Sequence, residues 1–288
     1  RNLRARKDCK YRRDLMSSIY QRMTFRLSII SAMIACALST LNAQNFSLST
    51  PGIAIVTSTQ GAAQIIDPTE GTFRVALHEA LSLSDQTIQT KQDGHLFLAC
   101  SNGLGIGIDA TTEVSFISYK QSPFSEERAK LDFEPSTSAI DIKLISGAIN
   151  VSSEGISPRS QVRVNTPNGT VRIHSANCRI EQSDTGTTII TFGGNATFYY
   201  ANGEHREFIS KFNGIRINAL SASLGEITEI IDMTQIDPTK QAFADATFHA
   251  SNRVHFKATV GDAPATPILI MPSTYYEIPS ARPYEYTE

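Results

Sequence analysis

The residue types that could do chemistry are sparse and poorly spaced. The six histidines are His78, His95, His174, His205, His249 and His255. His78-Glu-Ala-Leu-Ser82 begins a zinc-protease pattern but lacks its second histidine. Cys100 and Cys178 stand too far apart in sequence for a Cys-x-x-Cys zinc or redox pair. The chain has no Gly-x-Ser-x-Gly nucleophile elbow. Gly103-Leu-Gly-Ile-Gly107 continues neither as a phosphate-binding loop nor as a dinucleotide fingerprint, so its glycines read as bends or close packing within strands. The carboxylate pairs Glu126/Glu127 and Glu226/Glu229 read as solvated charge, because a glycosidase needs two carboxylates set face to face by the fold. Four Asn-x-Ser/Thr triplets, at Asn45, Asn150, Asn168 and Asn195, read as chance matches in an Asn/Ser/Thr-rich chain. No catalytic residue, metal ligand or cofactor motif emerges. The expectation is a non-enzymatic binding module; the alternatives are an envelope-associated glycan hydrolase and a structural, adhesin-like surface module.

Charge narrows the setting. The 288 residues carry 26 Lys plus Arg and 28 Asp plus Glu, a formal charge of −2 that averages two unlike pieces. Residues 1–26 hold nine basic and two acidic side chains, and the apolar run Leu27–Leu38 follows directly. That order is the layout of a secretory signal peptide, with small residues placing a cut after Ala43. The run is a dozen residues, short of the roughly 20 needed to cross a bilayer as a helix. Met33-Ile-Ala-Cys36 offers a second route, lipidation of Cys36. The chain begins with Arg1, and Met23-Thr-Phe-Arg is an ordinary signal start, so residues 1–22 read as untranslated sequence. Residues 44–288 then hold 17 basic and 26 acidic groups, a charge of −9. An acidic exported chain in the periplasm, cell envelope or medium argues against nucleic acid and anionic lipid as partners. In such a compartment Cys100 and Cys178 could form one disulfide or stand as two buried thiols.

From Ile53 to Ile217 the dominant pattern is short apolar/polar alternation, as in His95–Ala99, Val114–Ile117, Ile140–Ile145 and Thr188–Phe192. Such alternation rich in Thr, Val, Ile, Phe and Tyr suits half-buried strands. Asp93-Gly94, Asn102-Gly103, Asn168-Gly169 and Asn202-Gly203 mark tight turns between them. The expected fold is all-β: a sandwich or roll of stacked short antiparallel hairpins. Residues 119–139, rich in charge between Pro123 and Pro135, interrupt the pattern as an exposed loop or protruding hairpin. Leu220, Leu224, Ile227 and Ile231 predict a short amphipathic helix, and Gln241–Thr247 a further turn or two. From Asp262 five prolines and four tyrosines predict an extended tail. The division is therefore 1–43 leader, 44–218 β domain, 219–261 extension with a short helix, and 262–288 Pro/Tyr-rich tail.

Three segments in order, Ile88-Gln-Thr-Lys-Gln-Asp-Gly-His-Leu-Phe-Leu98, Leu144-Ile-Ser-Gly-Ala-Ile-Asn-Val151 and Val162-Arg-Val-Asn-Thr-Pro-Asn-Gly-Thr-Val-Arg-Ile173, resemble the core motifs of the FecR domain. The resemblance runs over about residues 53–217. Its motif positions here are Thr90, Asp93, Gly94, Gly147, Thr166, Pro167 and Gly169. One departure is local: the family follows the last strand with a "(V/I)-(R/H)-G-T" segment, where this chain has Ile173-His-Ser-Ala176 and no glycine. The resemblance implies an extracytoplasmic β domain that receives or transmits a signal. The better-known members add an anti-sigma segment inside the membrane. The 26 residues before the apolar run are too few for a packed inner domain, so the expectation is an exported FecR-like domain alone, binding an envelope protein or polysaccharide in signalling or assembly.

Overall fold

A computed structural model describes residues 50–122, 136–257 and 266–269. The leader, Cys36, the charged segment 123–135 and the tail beyond Leu269 lie outside the described residues. Within them the fold is mostly β, as the alternation predicts.

The first half of the chain supplies β1 (Thr50–Pro51), β2 (Ile53–Gln60), β3 (Ala63–Asp67), β4 (Gly71–Arg74), β5 (Ala80–Ser82), β6 (Gln86–Thr90), β7 (His95–Cys100), β8 (Gly105–Ile108) and β9 (Glu113–Gln121). Then come β10 (Ser138–Ser152), β11 (Gln161–Thr166), β12 (Gly169–Ser183), β13 (Gly186–Tyr200), β14 (Arg206–Ile209) and β15 (Asn213–Ile217). Helix α1 (Ala219–Leu224), β16 (Glu229–Ile231), helix α2 (Pro238–Ser251), β17 (Val254–Lys257) and β18 (Thr266–Leu269) follow. Sixteen strands form one large sheet; β17 and β18 pair separately.

Three strands, β10, β12 and β13, are fifteen residues long and belong to two neighbourhoods at once. In its first half β10 lies between β9 and β11, with Ala139–Lys143 parallel to Gln161–Asn165. In its second half it lies between β8 and β12. The parallel β11 is thus a wedge, admitted between β10 and β12 over half their length and absent over the rest. The hairpins are otherwise antiparallel, so the expected roll holds with longer strands and this one parallel insertion. The wedge demands that the long strands bend along one line. Register shifts occur between Leu144 and Ser146 and between His174 and Cys178. Gly147 sits there at φ +87° and Ser175 at φ +45°. Ser175 thus keeps, without being glycine, a left-handed backbone conformation that glycine favours.

The interior holds alternate residues of the curved sheet, including Ile65, Ile88, Phe116, Ile142, Leu144, Val164, Val171 and Phe198, all essentially inaccessible. The outer face of the upper half is covered by α2. Its start is set by Asp237, whose carboxylate accepts from Thr239 N, and by Pro238 in the first turn. Phe243 packs on Phe97, and Ala244 on Ile190 and Phe192. The helix comes close because β8 presents glycines: a Cβ on Gly105 would overlap the Thr247 carbonyl, and one on Gly107 would overlap Thr247 Oγ1 and Phe243. The predicted close packing at Gly103–Gly107 is therefore a seat for a helix.

Three expectations change. The helix predicted over 220–231 ends at Leu224, because Gly225 takes φ +72° and caps it; Glu229–Ile231 becomes strand β16. Gln241–Thr247 is the middle of a 14-residue helix. Thr266–Leu269, placed in the unpaired tail, pairs with Val254–Lys257. Among the described residues no helix is long and apolar enough to cross a membrane.

Two substitutions test this packing. Gly105→Ala should lower the unfolding free energy by about 1–3 kcal/mol, because helix backbone cannot yield to the added methyl. Ser175→Gly should raise it by about 1 kcal/mol by relieving a left-handed L-residue. Urea unfolding followed by circular dichroism reads both, and equal midpoints for all three proteins would contradict the account.

Candidate functional site

The family-motif residues gather in two places. Thr90 and Thr112 exchange bonds: Thr90 N donates to Thr112 O at 2.9 Å, and Thr112 N to Thr90 Oγ1 at 2.9 Å. Thr90 Oγ1 in turn donates to Asp109 O. Thr112 Oγ1 accepts from Ala148 N at 2.9 Å, and a Cβ on Gly147 would overlap that hydroxyl. Asp93 and Gly94 form the adjoining turn, where Gly94 lies against the Ala62 carbonyl. The second cluster is the β11–β12 turn. Thr166 Oγ1 donates to Gly169 O at 3.0 Å, Pro167 and Asn168 make the reversal, and the Asn168 amide donates to Thr187 Oγ1 and Ile217 O. Both clusters fasten turns to neighbouring strands. They position the sheet, with Asp93 and Pro167 exposed at the turns.

Cys100 and Cys178 are both buried, in β7 and β12. β8 and β10 lie between these strands. Three strand spacings amount to about 14 Å, twice the Cα separation a disulfide tolerates. The bridge left open by the sequence is thus excluded by geometry, and burial pushes the Cys178 thiol up to about 12.

Sequence reasoning missed an ion network beneath α2. Arg179 is 6% exposed; its Nη2 lies 2.6 Å from Asp109 Oδ2 and its Nε 2.6 Å from Glu181 Oε1. Nη1 donates to Asn150 Oδ1 at 3.1 Å. His95 Nδ1 stands 3.1 Å from the other Asp109 oxygen, and Lys240 of α2 reaches Glu181 at 2.7 Å. Phe243 lies over the guanidinium with 5.6 Å from Cζ to the ring centroid. Burial disfavours an ionised Asp109, but the His95 contact and the Arg179 charge outweigh it and hold the carboxyl at about 2. Both carboxylates are tied to one guanidinium. They brace the helix and are not arranged as an acid and a base.

Three surface grooves carry one carboxylate each: Asp93 beside Arg74 and Lys91, Glu113 beside Thr90 and Ser146, and Asp141 beside Arg163 and Arg172. None sets two carboxylates face to face in the manner of a glycosidase.

The most exposed apolar surface lies at the far edge of the sheet. Phe208, Phe212, Leu220, Leu224 and Ile230, each 56–72% exposed, come from β14, α1, β16 and their links. Among the described residues β14 pairs only with β13, and β16 only with β15. Unpaired backbone groups and apolar side chains thus share one margin. Arg216 bridges to Glu229 across β15 and β16 at 2.8 Å, holding the short edge strand in register. The exposed Leu220 and Leu224 were legible in the sequence as an apolar stripe; that they face outward was not, because Gly225 truncates the helix.

A mostly β fold with fastened turns, a helix-covered upper face and an apolar edge defines a β-rich domain. Residues 86–197 match the model of the FecR protein family, a narrower span than the motifs suggested. Two crystal structures of a candidate anti-sigma factor from Parabacteroides distasonis are similar at 15% and 14% identity, each with a TM-score of 0.37. In each case 55% of this chain and 63% of the other is covered, so the chain spans less than two thirds of those relatives. No curated protein matches the sequence.

The network yields an acid dependence. A carboxyl whose folded value lies near 2 against an ordinary 3.8 contributes stability above about pH 4 and loses it as pH falls toward 2. Glu181, also held down by Arg179 and Lys240, adds in the same direction. Asp109→Asn should flatten the slope of unfolding free energy over pH 2–4, and Arg179→Met should cost roughly 3–5 kcal/mol at pH 7 by leaving buried carboxylates uncompensated. Urea titrations at stepped pH measure both; an unchanged slope in Asp109→Asn would remove the network from the account.

Proposed function

We propose that this protein is an exported, extracytoplasmic FecR-domain module that captures a partner protein in envelope signalling or assembly and does no catalysis. The signal-like leader supports export, and the FecR domain supports a signalling-related role. The observation that carries the capture reading is the concentration of apolar exposure at the edge. Among the described residues, five of the eight large exposed hydrophobic side chains lie between Phe208 and Ile230, beside two strands that each pair on one side. Soluble surfaces rarely cluster such residues without an interaction to serve. An added strand would find backbone groups for affinity and Phe212, Leu224 and Ile230 for selectivity.

The test places a photocrosslinking residue at Phe212, Leu224 or Ile230, and at Leu77, which is half-exposed near β5, as control. Crosslinking is done in cells that make the protein. Adducts should form from the edge positions and not from Leu77, and Ile230→Asp should reduce adduct yield from Phe212 at least tenfold without moving the unfolding midpoint. Adducts spread equally over all four positions, or none from the edge, would overturn the assignment.

A further inference from the structure

We propose a second recognition surface on the same domain: the outer face of β10–β13 below α2, where an acidic, carboxylate-bearing polysaccharide binds. Strand parity defines the face. Ile142, Val164, Val171 and Phe198 point inward, so their neighbours in sequence point outward. In register across the strands, Asp141 lies opposite Arg163, which lies opposite Arg172; beside this row Asn165 lies opposite Thr170, which lies opposite Tyr199. These six residues, with Gln161, line a shallow groove of about 360 Å³. Helix α2 packs on β7, β8, and the other ends of β10 and β12, and does not reach the groove.

The charge of this face opposes that of the chain. Residues 44–288 carry −9, yet the face has one carboxylate, Asp141, and that is already engaged by Arg163 at 2.9 Å and by the Asn165 amide. Arg172 has no ion pair among the described residues, nor do Lys143, opposite Asn165, and Arg206, opposite Tyr199. The uncompensated charge of Arg172 acts on His174, whose pKa is lowered by partial burial and then by that guanidinium. Cations gathered on one face of an acidic protein select an anionic ligand, and planar guanidinium groups suit carboxylates.

The rest of the groove sets the ligand's class. It offers an amide, a hydroxyl and the half-buried ring of Tyr199, side by side on a shallow surface, which suits the hydroxyls and apolar ring face of a sugar. A captured peptide strand would need an open edge, but here the strands are flanked on both sides. A folded protein would need an apolar centre to its interface, and this groove is lined by charged and polar side chains and one tyrosine, with the exposed Ile145 and Phe208 outside its lining. A nucleic acid strand would need successive aromatic platforms, and the groove has one.

Affinity electrophoresis of the full exported chain through gels containing polygalacturonate, neutral dextran or single-stranded DNA tests the assignment. Polygalacturonate should retard the protein and dextran should not. Arg172→Gln and Tyr199→Ala should each weaken the retardation at least fivefold with unfolding midpoints within a degree of the parent. Raising salt from 0.15 to 0.5 M should weaken it further. Ile230→Asp, which disables the protein-capture edge, should leave it unchanged, so the two surfaces succeed or fail separately. Absence of retardation, equal retardation by DNA, or indifference to Arg172→Gln would each overturn the proposal.

Discussion

The structure depends on one geometric demand: β10 and β12 must be hydrogen-bonded neighbours over half their length and admit β11 between them over the other half. Backbone spacing across a sheet is fixed near 4.8 Å, so a third strand can enter only if its neighbours splay and turn. The cost falls on a single line of residues. Gly147 bends β10 with a positive φ, and Ser175 and Gly194 face each other where β12 and β13 bend. Because all three long strands turn together, the interior side chains on both sides of the bend meet in one apolar cluster. The same bend divides the outer surface into an upper face, over which β8 offers glycines, and a lower face, where β11 brings arginine and asparagine.

Helix α2 answers the upper face. Apolar packing of Phe243 and Ala244 gives it affinity but little direction, since hydrophobic contact is non-directional. Direction comes from Arg179. Its guanidinium is held by Asp109 and Glu181 in a fork, and the helix meets that fixed group through Phe243 over the guanidinium and Lys240 on Glu181. Burying these charges carries a desolvation cost that the pairing only offsets. The network is therefore better understood as fixing where the helix sits than as holding it there. The Asn177 amide, donating to the Ala244 carbonyl at 3.0 Å, makes a second such fix farther along.

Much of this was legible from residue pattern. Alternation located the strands because one side of nearly every strand is buried, and the Asn-Gly and Asp-Gly pairs fell at chain reversals. The motif residues were also legible as special, although the reason is mechanical: Thr90, Gly147, Thr166 and Gly169 fasten turns, so their restriction is steric and hydrogen-bonded. What failed were readings in which a local pattern was true but incomplete. Leu220, Leu224, Ile227 and Ile231 do follow helical spacing, yet one glycine at 225 ends the helix before the stripe can face a core. The reverse held for α2, whose start at Asp237-Pro238 was present in the sequence while its length depended on a glycine-lined seat 130 residues earlier. Arg179 was illegible, because nothing local marks an arginine inside a strand as buried among partners from β10, α2 and the link after β8.

Neither proposed surface is built on the FecR-like motif residues Thr90, Gly147, Thr166 and Gly169. Turn fastening requires atoms at fixed positions, and the atoms that satisfy it are consumed by internal bonds. An edge or a face remains free to vary, because its side chains contact solvent and change without disturbing the register beneath them. In this chain the apolar edge at β14–β16 and the cationic face on β10–β13 are chemically unlike, and they meet at β14, where Arg206 and Phe208 share one parity. Under the two proposals above, the polymer meets Arg172 and Tyr199 while the partner meets Phe212, Leu224 and Ile230, so the two would contact different side chains.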